Sequence, residues 1–142
     1  MIFLFLDTIY IMEKQIISDI IYDLIHQIKL PNHVSDALVS DEVLEAMVIE
    51  VKNPSMLNES VDTNELSNQF YEDYMDGNLD EGIIKKIFGG AVGGITGLLL
   101  GKSIGEAICK ILGIGNGPLY NLITSKIVAT ALGVAIGKQL GE

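Results

Sequence analysis

The chain has 142 residues, enough for one modest domain or a small domain with an appended segment. Apolar residues make up 49% of it, with 15 glycines, no Trp and no Arg, and the formal net charge is −10. A chain without arginine, and without a basic patch interleaved with aromatics, is a poor candidate for nucleic-acid binding; its one cysteine, Cys109, excludes an internal disulfide and argues against a zinc site.

The charge is unevenly placed. Residues 1–82 carry 17 Asp/Glu against three lysines (Lys14, Lys29, Lys52), a net −14. Residues 83–142 carry six lysines (Lys85, Lys86, Lys102, Lys110, Lys126, Lys138) against Glu106 and Glu142, a net +4. The basic, apolar part can approach anionic lipid, whereas the acidic part would be repelled by it. Three segments follow: an N-terminal amphipathic part over 1–54, an acidic linker over 55–82 and an apolar C-terminal part over 83–142.

The opening MIFLFLDTIYIM lacks a basic leading region, is interrupted by Asp7 and is followed by no small-x-small site, so no signal peptide is expected. It is too short to span a bilayer. A short strand, an extra apolar helical turn, or a start at Met12 all fit it.

Residues 13–29 predict an amphipathic helix. Ile16, Ile17, Ile20, Ile21, Leu24, Ile25 and Ile28 recur on one face, and Pro31 ends it. Residues 36–51 predict a second helix. Ser35 or Ser40 would cap it, and Val43, Leu44, Met47, Val48 and Val51 form its apolar stripe. Asn53-Pro54 terminates it. In the linker, eight acids and no base oppose compaction, although Phe70, Tyr71 and Tyr74 suit a short docked helix around 64–75. Asp76-Gly77-Asn78 reads as a turn.

Residues 83–112 predict the first arm of a helical hairpin and 118–140 the second. Gly113, Gly115, Asn116, Gly117 and Pro118 form the bend, with Pro118 placed to start the second arm. Gly89, Gly93, Gly97, Gly101 and Gly105 recur every four residues. In the second arm Ser125, Ala129, Gly133, Gly137 and Gly141 do the same. A glycine inside a helix costs about 1 kcal/mol against alanine. That cost is offset where another backbone packs into the small-residue groove, and hydrocarbon further enforces helix by leaving peptide groups no other partner. The grooves can face each other or face other copies. Ile87–Gly101 is uncharged for fifteen residues, about 22 Å of helix at ~1.5 Å per residue, short of a ~30 Å hydrocarbon core. Lys86 and Lys102 would lengthen it by snorkelling. Lys102, Glu106 and Lys110, at i, i+4, i+8, predict one solvated stripe.

The runs GGAVGGITGLLLGKSIG (89–105) and ALGVAIGKQLG (131–141) resemble the glycine-zipper proteins, including their two-helix membrane families. The resemblance implies an all-α fold with a C-terminal glycine-zipper helical hairpin, self-association and contact with membrane lipid. It implies helix-packing roles for Gly89, Gly93, Gly97, Gly101, Gly105, Ala129, Gly133, Gly137 and Gly141. That broad group includes outer-membrane lipoproteins, toxins, bacteriocins and phage proteins carried in virions. A second resemblance is to the sites cut by myovirus-type prohead proteases, after Leu/Ile-x-Glu and before a small residue. Leu57-Asn58-Glu59 before Ser60 and Leu79-Asp80-Glu81 before Gly82 fit, giving Glu59 and Glu81 as processing positions; Ile104-Gly105-Glu106 also matches.

Catalytic and metal constellations are missing. His26, on a helix flank, and His33, in a loop, lack the further ligands of a metal site. Asp76, Asn78 and Asp80 imitate a calcium loop, but glycine falls at 82 and Ile87 stands where a glutamate is needed. Gly101-Lys102-Ser103 echoes a phosphate loop without its preceding strand. The expectation is therefore a non-enzymatic, membrane-active protein without cofactor or metal. It would be associated with membrane or with a phage virion, act at the host envelope, and dock through 1–54 to a capsid or neck partner. The alternatives are a holin-like or toxin-like membrane protein, and a soluble structural or assembly protein with its hairpin buried.

Overall fold

The computed structural model describes residues 2–54, 63–79 and 97–140, with side chains for 12–54, 63–79 and 97–139. Among the described residues the chain is all-α. It has seven helices and no strand.

Helix α1 spans Ile2–Ile25, so the apolar N-terminal stretch continues the amphipathic helix. It stops short of 29 because its end is capped. The amide of His26 donates to the Tyr22 carbonyl at 3.1 Å, His26 Nδ1 lies 2.7 Å from the same oxygen, and Gln27 Nε2 donates to the Asp23 carbonyl at 3.3 Å. Its isoleucine face is divided. Ile17 and Ile21 are buried, whereas Ile16 and Ile20 remain 56% and 46% exposed.

The single helix expected over 36–51 is two. Helix α2 spans Asn32–Leu38 and begins on the Pro31 carbonyl, which accepts from Val34 and Ser35 at 3.0 and 3.1 Å. Helix α3 spans Asp41–Lys52. The break falls at Val39-Ser40 because Ser40 takes an extended ψ of 156°. Its hydroxyl donates to the Ala37 carbonyl at 2.7 Å and its carbonyl accepts from Leu44 at 2.9 Å. Such local side-chain bonding competes with helix propagation. Val43, Leu44, Met47 and Val48 are buried as the stripe requires, but Val51 is 54% exposed.

Helix α4 spans Asn64–Met75. Gly77 ends it at φ +76°, with the Gly77 amide donating to Tyr74 at 3.1 Å and the Asn78 amide donating to Asp73 at 2.9 Å. This is a Schellman motif, and it accounts for the Asp76-Gly77-Asn78 turn. Helix α5 spans Gly97–Leu112 and ends the same way on Gly113, at φ +77°, with Ile114 donating to the Cys109 carbonyl at 2.8 Å.

The arm expected over 118–140 is also divided. Helix α6 spans Pro118–Ile123 with Pro118 in its first turn, and helix α7 spans Lys126–Leu140. Two hydroxyls cause the break. Thr124 Oγ1 donates to the Tyr120 carbonyl at 2.8 Å, and Ser125 Oγ donates to the Leu122 carbonyl at 3.0 Å. Ser125 Oγ also accepts from the Val128 amide at 3.3 Å, the bond of a helix N-cap.

Helix α7 lies against α5, α3 and α2, while α5 carries α4 against another part of its surface. One core results. Ile17 and Ile21 of α1, Val34 and Leu38 of α2, and Val43 and Met47 of α3 join Ile104 and Ile108 of α5 and Val128, Leu132 and Ile136 of α7. The strongly acidic and the apolar, basic stretches of sequence thus share one interior.

Candidate functional site: the glycine contact of α5 and α7

Helices α5 and α7 run antiparallel and meet backbone to backbone. An ideal β-carbon on Gly101 would fall 1.7 Å from the Ala129 carbonyl oxygen and 2.7 Å from the Gly133 nitrogen. One on Gly133 would fall 1.7 Å from the Gly97 carbonyl oxygen. Both sites are closed to any side chain. The fit loosens away from this centre. A β-carbon on Gly97 would meet Val134 Cγ2 at 3.2 Å, and one on Gly105 would meet the Ile123 carbonyl oxygen at 3.2 Å. Gly137 is exposed, with nothing among the described residues within 4 Å of its β-carbon position. The glycines of this contact therefore face one another within a single chain.

The four-residue repeat is not uniform in role. Gly97, Gly101, Ala129 and Gly133 make the close approach. Gly105 faces the end of α6, Ser125 caps α7, and Gly137 stands clear. Gly105 meets Ile123 rather than Ser125 because the second arm breaks at Thr124-Ser125. The sequence carries the signal for that break in two adjacent hydroxyl residues, which favour capping over helix interior. Gly89, Gly93 and Gly141, and the processing positions Glu59 and Glu81, lie outside the described residues. Within them, Ile104 of the third protease-like match is fully buried inside α5, closed to a protease.

In the stripe of Lys102, Glu106 and Lys110, Lys110 is exposed, as expected, and Lys102 and Glu106 are half-buried, with partners from distant elements on Glu106 and Lys110. Thr63 Oγ1 donates to Glu106 Oε1, and the Tyr120 hydroxyl donates to Glu106 Oε2 at 3.5 Å. Lys110 Nζ donates to Asn68 Oδ1 at 3.0 Å and stands 4.5 Å from the centre of the Tyr71 ring. Burial beside the Glu106 carboxylate raises the Tyr120 hydroxyl pKa. No local signal in the sequence marks Thr63 and Asn68 as partners, because they lie more than forty residues away, at the start of α4 and within it.

The remaining candidates find structural roles. The Cys109 thiol is buried and its pKa is pushed up to about 12 by burial first and Glu106 second, which leaves it a protonated, weakly nucleophilic packing residue. His26 lies in the turn after α1, and His33 is buried in α2 rather than in a loop. Gly101-Lys102-Ser103 is helical, with Ser103 Oγ donating to the Leu99 carbonyl at 2.8 Å. Among the described residues no three His, Cys, Asp or Glu side chains group as metal ligands. No helix among them is long and apolar enough to cross a membrane.

Compared with known proteins, the chain matches no protein-family model, no curated protein and no solved structure.

Proposed function

We propose that this protein is a non-enzymatic, membrane-active helical-hairpin protein of the glycine-zipper kind, stored with its hairpin under a cover made by its own acidic half. Phage virion association is part of the proposal, with delivery to the host envelope as the occasion for uncovering. The observation that carries it is the double coverage of α7. One flank of that apolar helix is closed by α5 at Gly101 and Gly133. Its Val128, Leu132 and Ile136 are buried in the core shared with α2 and α3. Lys126 and Lys138 stay exposed, and Lys138 reaches the acidic half through Glu42 at 3.9 Å. An exposed pair of this kind contributes about 0–1 kcal/mol and does not lock the cover. Released, the hairpin would present lysines to lipid phosphates and apolar helix faces to the acyl region, and its remaining small-residue surface would serve self-association. Residues 1–54 would meet a capsid or neck partner, and neither nucleic acid nor cofactor has a role.

The same burial favours a second reading, a soluble structural or assembly protein whose hairpin never leaves its core. One experiment separates them. A protease site is inserted within 55–62, and the protein is presented to anionic liposomes before and after cleavage. Flotation with lipid and dye leakage after cleavage support the membrane-active reading. A cleaved protein that neither floats nor leaks dye leaves the structural one. For the virion assignment, mass spectrometry of purified particles should find the chain, with termini at Ser60 or Gly82 if the linker is processed.

A further inference from the structure

Two apolar features stand open on the described surface, and they are of opposite shape. On α1, Met12, Ile16 and Ile20 follow one another at i, i+4, i+8 and are all exposed, so they form a ridge of three large side chains along one line of the helix. A polar row, Gln15, Asp19 and Asp23, runs beside that ridge and is exposed as well, with Gln15 Nε2 donating to Asp19 at 2.9 Å. The second feature is a groove of about 590 Å³ between α3 and α7, walled by Ala46 and Ile49 on one side and Ile127 and Ala131 on the other. Its rims carry opposite charge. Glu42 and Glu45 stand on the α3 rim, each already held by a lysine of its own chain, Lys138 at 3.9 Å and Lys14 at 3.7 Å. Lys126 stands on the α7 rim, exposed and without an ion pair among the described residues.

We propose that a second copy of this chain seats its α1 ridge in the α3–α7 groove, head to tail. The contact goes beyond the membrane-active reading and does not depend on it, since ridge and groove are both open while the hairpin is covered. Shape favours it. Large side chains at four-residue spacing on one surface meet alanines set between isoleucines on the other, the arrangement by which helix ridges enter helix grooves. Charge favours it too. The acids of the ridge lie along one edge, and the unpaired base of the groove stands on one rim, so a single orientation brings Asp19 and Asp23 to Lys126. Other pairings of two copies fit less well. From Met12 onward the exposed residues of α1 include no base, so ridge against ridge would set these acids against their own counterparts. Groove against groove would leave two hollows facing each other. Because ridge and groove belong to different helices, each copy in such a pair keeps one of them free. The contact is heterologous, and growth continues to a ring or a filament.

Sedimentation of the full chain in detergent-free buffer tests this. The parent should pass beyond a dimer as its concentration rises. Ile16→Glu on the ridge and Thr130→Glu in the groove each alter an exposed residue, so circular dichroism should show the fold unchanged. Each alone should weaken association about tenfold or more. Mixed in equal amounts, the two variants should form a dimer and stop there, because the pair retains one intact ridge and one intact groove that fit. Asp19→Lys combined with Asp23→Lys should also weaken association, and adding Lys126→Glu to the same chain should restore part of it. A parent that stays monomeric up to about 1 mM overturns the contact. So does disruption by Ile16→Glu with none by Thr130→Glu, which would mean that the ridge pairs with itself. Ridge variants that leave the oligomer intact and abolish flotation on anionic vesicles would give the ridge to lipid instead, and overturn it as well. Sedimentation involves no lipid, so failure of the contact and failure of the membrane-active reading are separately visible.

Discussion

The carbonyl oxygen of Ala129 occupies the place a side chain on Gly101 would need, 1.7 Å from its β-carbon position. Gly133 stands in the same relation to the Gly97 carbonyl. The obstacle at both positions is backbone, so it cannot move aside as a flexible side chain can. Gly101→Ala and Gly133→Ala should each force the helices apart and destabilise the fold by about 3 kcal/mol or more, at or above the top of the usual range for overpacking. Urea denaturation measures this. A loss under about 1 kcal/mol for either variant would mean that the helices do not touch there.

Gly137 supplies the control. It belongs to the same four-residue repeat, yet nothing among the described residues lies within 4 Å of its β-carbon position. Inside α7, glycine at that site costs helix stability with no packing return from the described residues. Gly137→Ala should therefore stabilise by roughly 0.5–1 kcal/mol. A destabilised Gly137→Ala variant would indicate that the position meets another surface, a second copy being the first to examine by sedimentation.

Ser125 belongs to the repeat as well, but its hydroxyl accepts from the Val128 amide at 3.3 Å and donates to the Leu122 carbonyl at 3.0 Å. Its loss removes the acceptor of the Val128 amide at a buried junction, while the Leu122 carbonyl keeps the Ser125 amide at 3.3 Å. Ser125→Ala should cost about 1–2 kcal/mol. Ser125→Gly, which suits a spacer inside a zipper, should not rescue the loss. Thermal melts of the two variants decide between capping and spacing.

Those positions mark how far the sequence was legible. The helical class, the bend at Gly113–Pro118 and the docked helix at 64–75 followed from local signals: period, turn glycines and clustered aromatics. The breaks at Ser40 and Ser125 were missed because apolar periodicity runs straight through them. Only the hydroxyl bonds to Ala37 and Leu122 decide against continuity. The partners of Glu106 and Lys110 were missed for a different reason. A charged i, i+4, i+8 stripe reads as solvated unless its distant partners Thr63, Asn68 and Tyr71 are known to lie on it. Likewise, the apolar positions on one face of α1 carry no mark to say that Ile17 and Ile21 go inward while Ile16 stays out.

Cys109 reports on opening of the core. It is fully buried in α5 and its thiol pKa is pushed up to about 12, so at neutral pH it is neither reachable nor ionised. Maleimide labelling of the native protein should be slower than that of the unfolded chain by a factor on the order of the folding equilibrium constant, ~10³ or more. Raising the pH from 7 to 9 should speed labelling of the unfolded chain and carry through to the native protein only by way of opening. Prompt labelling of the native protein at neutral pH would refute this packing of α5.

Asp73 gives the docking of α4 a pH dependence of definite sign. Its carboxyl pKa is raised above the ordinary 3.8, first by burial and then by the charges of Asp76 and Glu72. A raised acid binds its proton more tightly in the docked state than in the released one, so docking gains as pH falls through the raised value and is weakest above it. Asp73→Asn removes the handicap. It should stabilise α4 at pH 7 by on the order of a few tenths of a kcal/mol, solvent screening keeping the effect small. That advantage should shrink as pH is lowered toward the unperturbed carboxylate range. Exchange of the α4 amides at pH 7.5 and pH 4.5, corrected for intrinsic rates, provides the comparison. A difference between Asp73→Asn and the parent that grows at the lower pH would reverse the sign and place Asp73 in a favourable pairing instead.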